Sequence, residues 1–428
     1  MAIISRPGSN RAAPRMNDLP VTIEAIWKAA ARIKGAIART PVIAAAGLSE
    51  LAGAEIHLKL ETLHRTGSFK ERGALNKLLT LNGGERHTGV VAMSAGNHAQ
   101  GVAYHARRLG IPATILMPQS TPFIKIDRTE AFGARVVLKG DNLSATCQAV
   151  DALAREQGLV LIHPYDDPAV IAGQGTIALE LLADCPDLDT IVVPIGGGGL
   201  ISGIAVAAKV LNPQIEIVGV QSTLYPSMYC LMRGEDPVPS AAAATLAEGI
   251  AVKEPGKLTR RIVKELVSDI LLVNDISIEG AVETLLEHQK LIVEGAGAAG
   301  LAAVLTAPER FRGRRVGIVI CGGNIDARLL ASILMRGLVR GGRLVRLRSE
   351  LPDLPGALAR LSGVIGKHSG IIVEVHHQRL FHDTSLKCAE LDVVVETPSR
   401  RHVELLIAAL ITAGFPTQLL SKNGDGWG

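Results

Sequence analysis

A chain of 428 residues with 47% hydrophobic residues is long and apolar enough to form two or three domains, each with its own core. Lysine and arginine number 45 against 41 aspartate and glutamate residues, so the formal net charge is only +4 and is spread along the sequence. That balance argues against nucleic acid as a partner, because nucleic-acid-binding domains concentrate basic residues on one surface.

The first 20 residues contain arginines and prolines but no apolar segment of the kind found in secretory signals, so we expect a disordered N-terminal tail. No segment reaches the roughly 18 uninterrupted apolar residues that a membrane-spanning helix needs. The five cysteines are widely spaced and form no CxxC pair, which argues against a disulfide framework or a structural zinc site. These features predict a soluble protein of the reducing cytoplasm, with no membrane partner.

The segment "ETLHRTGSFKERGA" places Lys70 between a small-residue turn and the start of a predicted helix. A lysine in such a place is most often a solvated surface residue. Only the segments that follow along the chain can favour a catalytic role for it.

From residue 89 onward, short β-branched segments alternate with alanine-rich helical segments. "GVVAMSAG" precedes "NHAQGVAYHARRLG", and the alternation continues through "TIVVPIGGGG" to "RRVGIVICGGN". Buried strands separated by helices predict an open, mostly parallel α/β sheet. Ligands of such sheets bind at the carboxyl ends of the strands, so the loops after strands are the candidate functional positions.

The first such loop, "MSAGNHAQG", forms a small-residue turn of Ser94, Ala95 and Gly96 before a helix that begins at Asn97 or His98. Free N–H groups at a helix start can bind a carboxylate or a phosphate. An ordinary helix cap by serine or asparagine explains the same residues equally well.

The second loop contains four consecutive glycines, Gly196, Gly197, Gly198 and Gly199, between an apolar strand and a helix. Such a run is costly in backbone entropy, and it suits a loop whose main-chain amides surround an anion. A dinucleotide site is disfavoured because the spacing is not GxGxxG and the next strand ends in Gln221 rather than an acid. The loop therefore predicts a monophosphate site.

The third loop, "VICGGNID", places Cys321 at a strand end. Buried cysteines are usually inert packing residues, but this position makes Cys321 a candidate site residue.

Two other kinds of site, a serine hydrolase and a metal site, fit the sequence less well. A serine hydrolase would need a GxSxG elbow, which does not occur, and the adjacent strand residues His376 and His377 would point to opposite faces rather than bind one metal ion.

A lysine, a phosphate loop and a polar atom at a third strand end are together the parts of a pyridoxal 5'-phosphate site. The segments "TGSFKERGA", "SAGNHAQGVA", "GQGTIALE", "PIGGGGLISG" and "CGGNID" occur in the order and approximate spacing of fold-type II pyridoxal-phosphate enzymes. From about residue 20 to 420 the chain most resembles the threonine ammonia-lyase (threonine dehydratase) family within that class.

The resemblance implies a role for each loop. Lys70 would form the Schiff base with the cofactor, Asn97 would bond its ring oxygen, and Gly196 to Gly199 would hold its phosphate. The turn from Ser94 to His98 would receive the substrate carboxylate on its backbone amides. Cys321 would face the pyridine nitrogen, which a thiol cannot keep protonated as an aspartate would.

That weaker electron sink favours elimination over transamination. The resemblance implies that the Lys70 amine removes the Cα proton and that the β-hydroxyl leaves, protonated through the cofactor phosphate. L-Threonine would give 2-oxobutanoate and ammonia, and L-serine would give pyruvate and ammonia. Whether the role is biosynthetic, in isoleucine synthesis, or catabolic stays open.

Three alternatives remain. The substrate could be another β-hydroxy amino acid such as 3-hydroxyaspartate. Serine racemase activity is disfavoured because Ala95 stands where racemases of this family carry a second serine. An amino-acid sensor with an inactive lyase core is disfavoured by the intact Lys70 and Asn97. Racemases of this family also bind a divalent cation through acidic residues. The matching stretch here keeps Glu248 but has Ala244 where the resemblance implies a second carboxylate, so no metal ligand is assigned and a cation requirement stays open. Glu294 receives no role.

The remainder of the chain reads as a βαββαβ unit and resembles an ACT regulatory domain. The resemblance implies a small effector, such as isoleucine, valine or a nucleotide, at Asp353, Leu354, Pro355 and Gly356. A purely structural C-terminal unit is the alternative. Relatives pair with copies of themselves, which implies a homodimer or homotetramer.

We therefore predict a two-lobed α/β fold of type II followed by a ferredoxin-like unit. The predicted divisions are a tail (1–20), a lyase domain (21–338) with an inserted small lobe (about 70–160), a linker (339–343), an ACT-like domain (344–421) and a tail (422–428).

Overall fold

The computed structural model describes residues 18–236, 244–378 and 388–420. The chain divides into two compact units, Met1–Ile325 and Asp326–Gly428. Nearly all of the predicted N-terminal tail and the whole of the predicted C-terminal tail lie outside the described residues. Within the described ranges, no helix is both long and apolar enough to cross a membrane.

The described residues contain seventeen α-helices and fourteen strands. The helices are α1 Ile23–Ile33, α2 Ala46–Ala52, α3 Lys70–Thr80, α4 Gly83–Thr88, α5 Asn97–Arg108, α6 Phe123–Ala131, α7 Leu143–Gln157, α8 Pro168–Asp184, α9 Gly199–Leu211, α10 Ser227–Arg233, α11 Lys257–Leu266, α12 Asp275–Gln289, α13 Gly295–Thr306, α14 Pro308–Phe311, α15 Ala327–Arg340, α16 Ala357–Lys367 and α17 Arg400–Thr412. The strands are β1 Val42–Ala44, β2 Glu55–Leu60, β3 Val90–Met93, β4 Ala113–Met117, β5 Arg135–Leu138, β6 Val160–Leu161, β7 Thr190–Pro194, β8 Glu216–Ser222, β9 Asp269–Val273, β10 Arg315–Ile320, β11 Leu344–Pro352, β12 Ile371–Gln378, β13 Cys388–Glu396 and β14 Thr417–Leu419.

The larger sheet of the first unit has six strands in the order β1-β2-β10-β7-β8-β9. Strand β1 is antiparallel to β2, and all the other neighbours are parallel. Strand β7 is buried along its whole length, as expected for a parallel strand with helices on both faces of the sheet. The apolar runs of the sequence therefore correspond to a covered sheet.

The smaller sheet of the first unit has four parallel strands in the order β5-β4-β3-β6. Its core joins strand residues such as Val90 and Ile115 to Ala99 and Val102 of α5 and to Leu78 of α3. The prediction of an open, mostly parallel α/β fold is confirmed by these two sheets.

Helix α3, which begins at Lys70, packs closely on α8 through glycines. A Cβ atom on Gly73 would lie 2.8 Å from the carbonyl oxygen of Val170, and one on Gly173 would lie 2.7 Å from that of Arg72. The Gly73 N–H also donates to the Gln174 side chain at 3.2 Å. The "GQGTIALE" segment thus lets the two helix backbones approach and fixes the helix that carries Lys70.

The second unit contains a four-stranded antiparallel sheet in the order β12-β13-β11-β14. Helices α16 and α17 pack on it around Leu361, Leu391 and Leu406. The chain order β11-α16-β12-β13-α17-β14 confirms the predicted βαββαβ, ferredoxin-like arrangement.

Candidate active site

Lys70 lies beside the loop that follows β10. The Phe69 N–H donates to the carbonyl oxygen of Cys321 at 3.0 Å, and Ser68 forms an antiparallel bridge with Gly322. These main-chain contacts bring together two segments that are far apart in the sequence. As a result, the first residue of α3 and the carboxyl end of a central strand share one site.

The Lys70 ammonium donates a hydrogen bond to the carbonyl oxygen of Pro164 at 2.8 Å. Burial lowers the pKa of Lys70 to about 8, although Cys321 and Glu294 act in the opposite direction. A lysine with such a pKa carries a substantial neutral fraction near physiological pH. It is therefore suited to act as a nucleophile or a base.

Cys321 follows β10 directly and is 3% exposed. Burial and the nearby Glu294 carboxyl raise the pKa of the Cys321 thiol far above its usual range. The thiol therefore stays neutral, and it presents a weak hydrogen-bonding group rather than a charge.

Asn97 is the first residue of α5, at the predicted helix start. The helix N-cap is Gly96, and no side chain caps it. The Asn97 side chain instead donates from Nδ2 to Glu294 Oε1 and accepts at Oδ1 from Asn324 Nδ2, both at 2.7 Å. Of the two readings of this loop, the ordinary helix cap is therefore wrong for Asn97.

The rest of the turn before α5 is half-buried. The Gly96 N–H donates to Ser94 Oγ at 3.1 Å, which closes the turn around Ala95. The His98 ring donates from Nε2 to the carbonyl oxygen of Ile162 at 2.8 Å. Burial lowers the pKa of His98 to about 3, so the ring remains neutral and points into the protein. A substrate could therefore contact the backbone of His98, but it would meet no charge on the ring.

The glycine loop runs from Gly196 to Gly199 between β7 and α9, and Gly198 has a φ of +96°. A Cβ atom on Gly197 would lie 2.3 Å from the Tyr165 ring, and one on Gly198 would lie 2.8 Å from Thr259. Side chains do not fit at these positions, so the main chain itself lines the site.

A second layer of residues fixes the orientation of the glycine loop. Thr259 Oγ1 donates to the Gly197 carbonyl oxygen at 2.6 Å, and the Gly256 N–H donates to the same oxygen at 3.2 Å. Asp166 accepts from the backbone N–H groups of Lys257, Leu258 and Thr259 at 2.9 to 3.2 Å. Because a trans peptide directs its C=O and N–H oppositely, anchoring the Gly197 carbonyl turns the Gly198 N–H away from Thr259.

Sequence reasoning assigned no role to four residues of this site: Asp166, Thr259, Glu294 and Asn324. One sequence feature could have identified Glu294: it is the one charged residue in the apolar run "LIVEGAGAAGLAA". Asn324 belongs to the "CGGNID" segment, which marked the loop but gave this residue no role, whereas Asp166 and Thr259 lie in segments without a distinctive pattern.

The remaining predicted positions are also placed by the structure. Glu248 forms an ion pair with Lys125 at 2.5 Å. No group of three or more potential metal ligands occurs among the residues that the structure describes. Asp353 to Gly356 form an exposed turn between β11 and α16 in the second unit, where Leu354 is 63% exposed and Gly356 has a φ of +82°.

The site fits pyridoxal 5'-phosphate. Lys70 supplies an amine, the glycine loop supplies a main-chain anion site, and the neutral Cys321 thiol stands at a strand end. The Ser68 hydroxyl beside Lys70 is buried and has no hydrogen-bond partner in the described part of the chain, so a polar ligand atom could satisfy it. Asn97 keeps one amide N–H beyond its bond to Glu294.

Comparisons with known proteins agree with this fit. A family model described as pyridoxal-phosphate dependent enzyme matches residues 33–322. The L-threonine ammonia-lyase of Thermotoga maritima is 44% identical over 400 residues, covering 94% of this chain and 100% of the relative.

Solved structures agree as well. A threonine deaminase from T.th. has a TM-score of 0.67 at 38% identity, covering 71% of this chain and 99% of its own. The serine racemase of maize has a TM-score of 0.69 at 34% identity, covering 75% and 98%.

Proposed function

The chain belongs to the family of pyridoxal-phosphate dependent enzymes, and from that premise we propose that it deaminates L-threonine to 2-oxobutanoate and ammonia, and L-serine to pyruvate and ammonia. The observation that carries this proposal is the main-chain pairing of residues 68–69 with residues 321–322, which sets Lys70 beside the neutral Cys321 thiol. The names of the relatives support threonine as the substrate.

Each part of the site has a proposed task. The Gly196 to Gly199 amides would hold the cofactor phosphate, Asn97 would bond its ring oxygen, and Cys321 would face its pyridine nitrogen. The bound cofactor supplies an electron sink for the negative charge that develops at the substrate Cα. Lys70, with its pKa near 8, takes the Cα proton once its amine is free.

The turn before α5 favours elimination over racemisation. Racemisation needs a second acid or base on the face of Cα opposite the lysine, and this loop offers Ala95 beside Ser94. The His98 ring is neutral and turned toward Ile162, so it does not replace that group. The backbone from Ser94 to His98 would receive the substrate carboxylate.

The experiment that tests this function uses the purified protein and Lys70→Ala. Absorbance spectra are recorded with and without added pyridoxal phosphate, and 2-oxo acid and ammonia are followed after L-threonine is added. A lysine-dependent band near ~410 nm with equal release of both products supports the proposal. A band without threonine turnover retains the cofactor but overturns the substrate, and serine and 3-hydroxyaspartate are then compared. If the band is absent even after pyridoxal phosphate is added, the proposed role of Lys70 is overturned.

For the second unit we propose an ACT-like regulatory role in an enzyme of the cytoplasm that forms a homodimer or homotetramer. The exposed turn from Asp353 to Gly356 would take a small effector such as isoleucine, valine or a nucleotide. Calorimetric titration of these compounds into the wild type and Leu354→Ala tests the site. Loss of binding in the variant supports it, whereas absence of binding to the wild type favours a structural unit.

A further inference from the structure

Glu294 stands at the start of α13 but does not cap that helix. It occupies the N-cap position with an extended backbone, and its side chain makes no capping hydrogen bond. An acidic residue at an N-cap ordinarily accepts from the first N–H groups of its own helix. Here Oε1 instead accepts from Asn97 Nδ2 at 2.7 Å, across the site.

The orientation of the Asn97 amide follows from a chain of hydrogen bonds. Asn324 Nδ2 donates to the carbonyl oxygen of Thr66 and to Asn97 Oδ1, both at 2.7 Å. The Thr66 carbonyl oxygen can only accept, so the nitrogen of the Asn324 side chain must face it. That same nitrogen donates to Asn97, so the Asn97 oxygen must face Asn324. The Asn97 nitrogen then faces Glu294, and its second N–H is left for a ligand.

The ionised form of the Glu294 carboxyl is energetically unfavourable at this place. Burial raises the pKa of Glu294 to about 7, and Glu248 acts in the same direction, while the Asn97 bond opposes the shift. Its hydrogen-bond partners, the Asn97 side chain and the Asn324 backbone, are neutral amides rather than cations. Its carboxyl oxygen also lies against the loop after β10, since a Cβ on Gly322 would be 2.3 Å from Oε1. A half-buried carboxyl that is desolvated and lacks a cationic hydrogen-bond partner points to a function rather than to stability.

We propose that Glu294 is a positioning residue for the cofactor: together with Asn324 it holds the Asn97 amide so that the free N–H of Nδ2 faces the ring oxygen of pyridoxal phosphate. The inference rests on the proposed role of Asn97 in cofactor binding but not on the identity of the amino-acid substrate. In this positioning role Glu294 acts through Asn97, separately from its electrostatic effect on Lys70 and Cys321.

Two variants of Glu294 separate orientation from charge. Glu294→Gln keeps an oxygen that accepts from Asn97, whereas Glu294→Ala removes it. The measurements are the affinity of the apoprotein for pyridoxal phosphate and the wavelength and pH titration of the absorbance band of the bound cofactor. Asn97→Ala is the reference, and Glu309→Ala, an exposed carboxylate paired with Arg312, is the matched control.

We expect Glu294→Ala to weaken cofactor affinity roughly 3- to 10-fold, which is the effect of one hydrogen bond, and to shift the absorbance titration. Glu294→Gln should restore both readouts to within about twofold of the wild type. Equal impairment of the two variants would overturn the positioning role in favour of the charge. Wild-type behaviour of Glu294→Ala would also overturn it, while wild-type affinity of Asn97→Ala would instead overturn the proposed role of Asn97.

Asn324→Asp provides a second test if Glu294→Ala does not fold. Aspartate has the same shape but cannot donate to Asn97 Oδ1, so the Asn97 amide should lose its fixed orientation. We expect the same fall in cofactor affinity, with the apoprotein retaining the circular dichroism spectrum of the wild type. An unchanged affinity in this variant would contradict the proposal.

Discussion

Arg72 holds both carboxylate oxygens of Glu61, with Nε 2.7 Å from Oε2 and Nη2 2.9 Å from Oε1. Both side chains are almost wholly inaccessible. The same guanidinium reaches both oxygens of Glu180 on α8, at 2.7 and 2.8 Å. Burial alone would raise the pKa of Glu61, but Arg72 and His64 hold it well below its usual range. This cluster ties the first turn of α3, and with it Lys70, to the larger sheet.

The first prediction concerns this cluster. Arg72→Met should lower the free energy of unfolding by roughly 3–5 kcal/mol, because it leaves the buried Glu61 carboxylate without its guanidinium, although Lys59 still pairs with Glu180. Arg72→Lys should cost less, since it keeps the charge but loses the paired geometry. Chemical denaturation measures both. Arg312→Met, at an exposed ion pair, is the control and should change stability by less than about 1 kcal/mol. Equal effects at positions 72 and 312 would refute the prediction.

The second prediction concerns the glycine loop. Thr259→Val removes the hydroxyl that bonds the Gly197 carbonyl but keeps the shape of the side chain. Because that bond orients the amides of the phosphate site, affinity for pyridoxal phosphate should fall roughly tenfold. Affinity for pyridoxal, which has no phosphate, should change little, and Thr259→Ser should resemble the wild type. An equal loss for both compounds would show that the hydroxyl serves general stability instead.

The third prediction follows from the pKa of Lys70. Burial lowers it to about 8, so the apoprotein should react with pyridoxal phosphate increasingly fast as the pH rises through 8. An exposed lysine would require a pH near its ordinary value of about 10.4. Stopped-flow absorbance between pH 6 and 10 measures the midpoint, with Lys70→Ala as the blank. A midpoint above about 9.5 would be incompatible with a buried amine.

The fourth prediction concerns stability and pH at Glu294. Its pKa in the folded protein is raised to about 7 from 4.5, so the native state binds more protons than the unfolded state within that window. Its contribution to stability is therefore present at low pH and is lost as the pH rises toward and through 7. Glu294→Gln cannot ionise and should escape that loss.

Denaturation of wild type and Glu294→Gln at several pH values tests this sign. Relative to the wild type, the variant should gain on the order of 3 kcal/mol between pH 4.5 and pH 8. The Glu309→Gln variant, at an exposed position, should show no such trend. A difference between wild type and Glu294→Gln that stays constant across the range would mean that Glu294 ionises normally in the fold.

Several features of this protein were determined by the sequence itself. Alternating apolar strands and alanine-rich helices predict the parallel sheets, because strands covered on both faces need apolar residues at consecutive positions. The four glycines predict an anion site because only residues without a Cβ let the main chain approach a ligand so closely. The βαββαβ order of the second unit follows from periodicity in the same way.

The tertiary structure alone decided how these parts meet. The string "SAGNHAQG" was compatible with a capped helix start, and only the approach of Glu294 and Asn324 turned the Asn97 side chain into the site. Thr259 and Asp166 likewise act on the glycine loop from other segments of the chain. Periodicity reports which face of an element is buried, but it carries no information on which distant side chains lie opposite each other. Hydrogen bonds between such side chains depend on folding of the whole unit, and for this reason the positioning residues could not be found from the sequence.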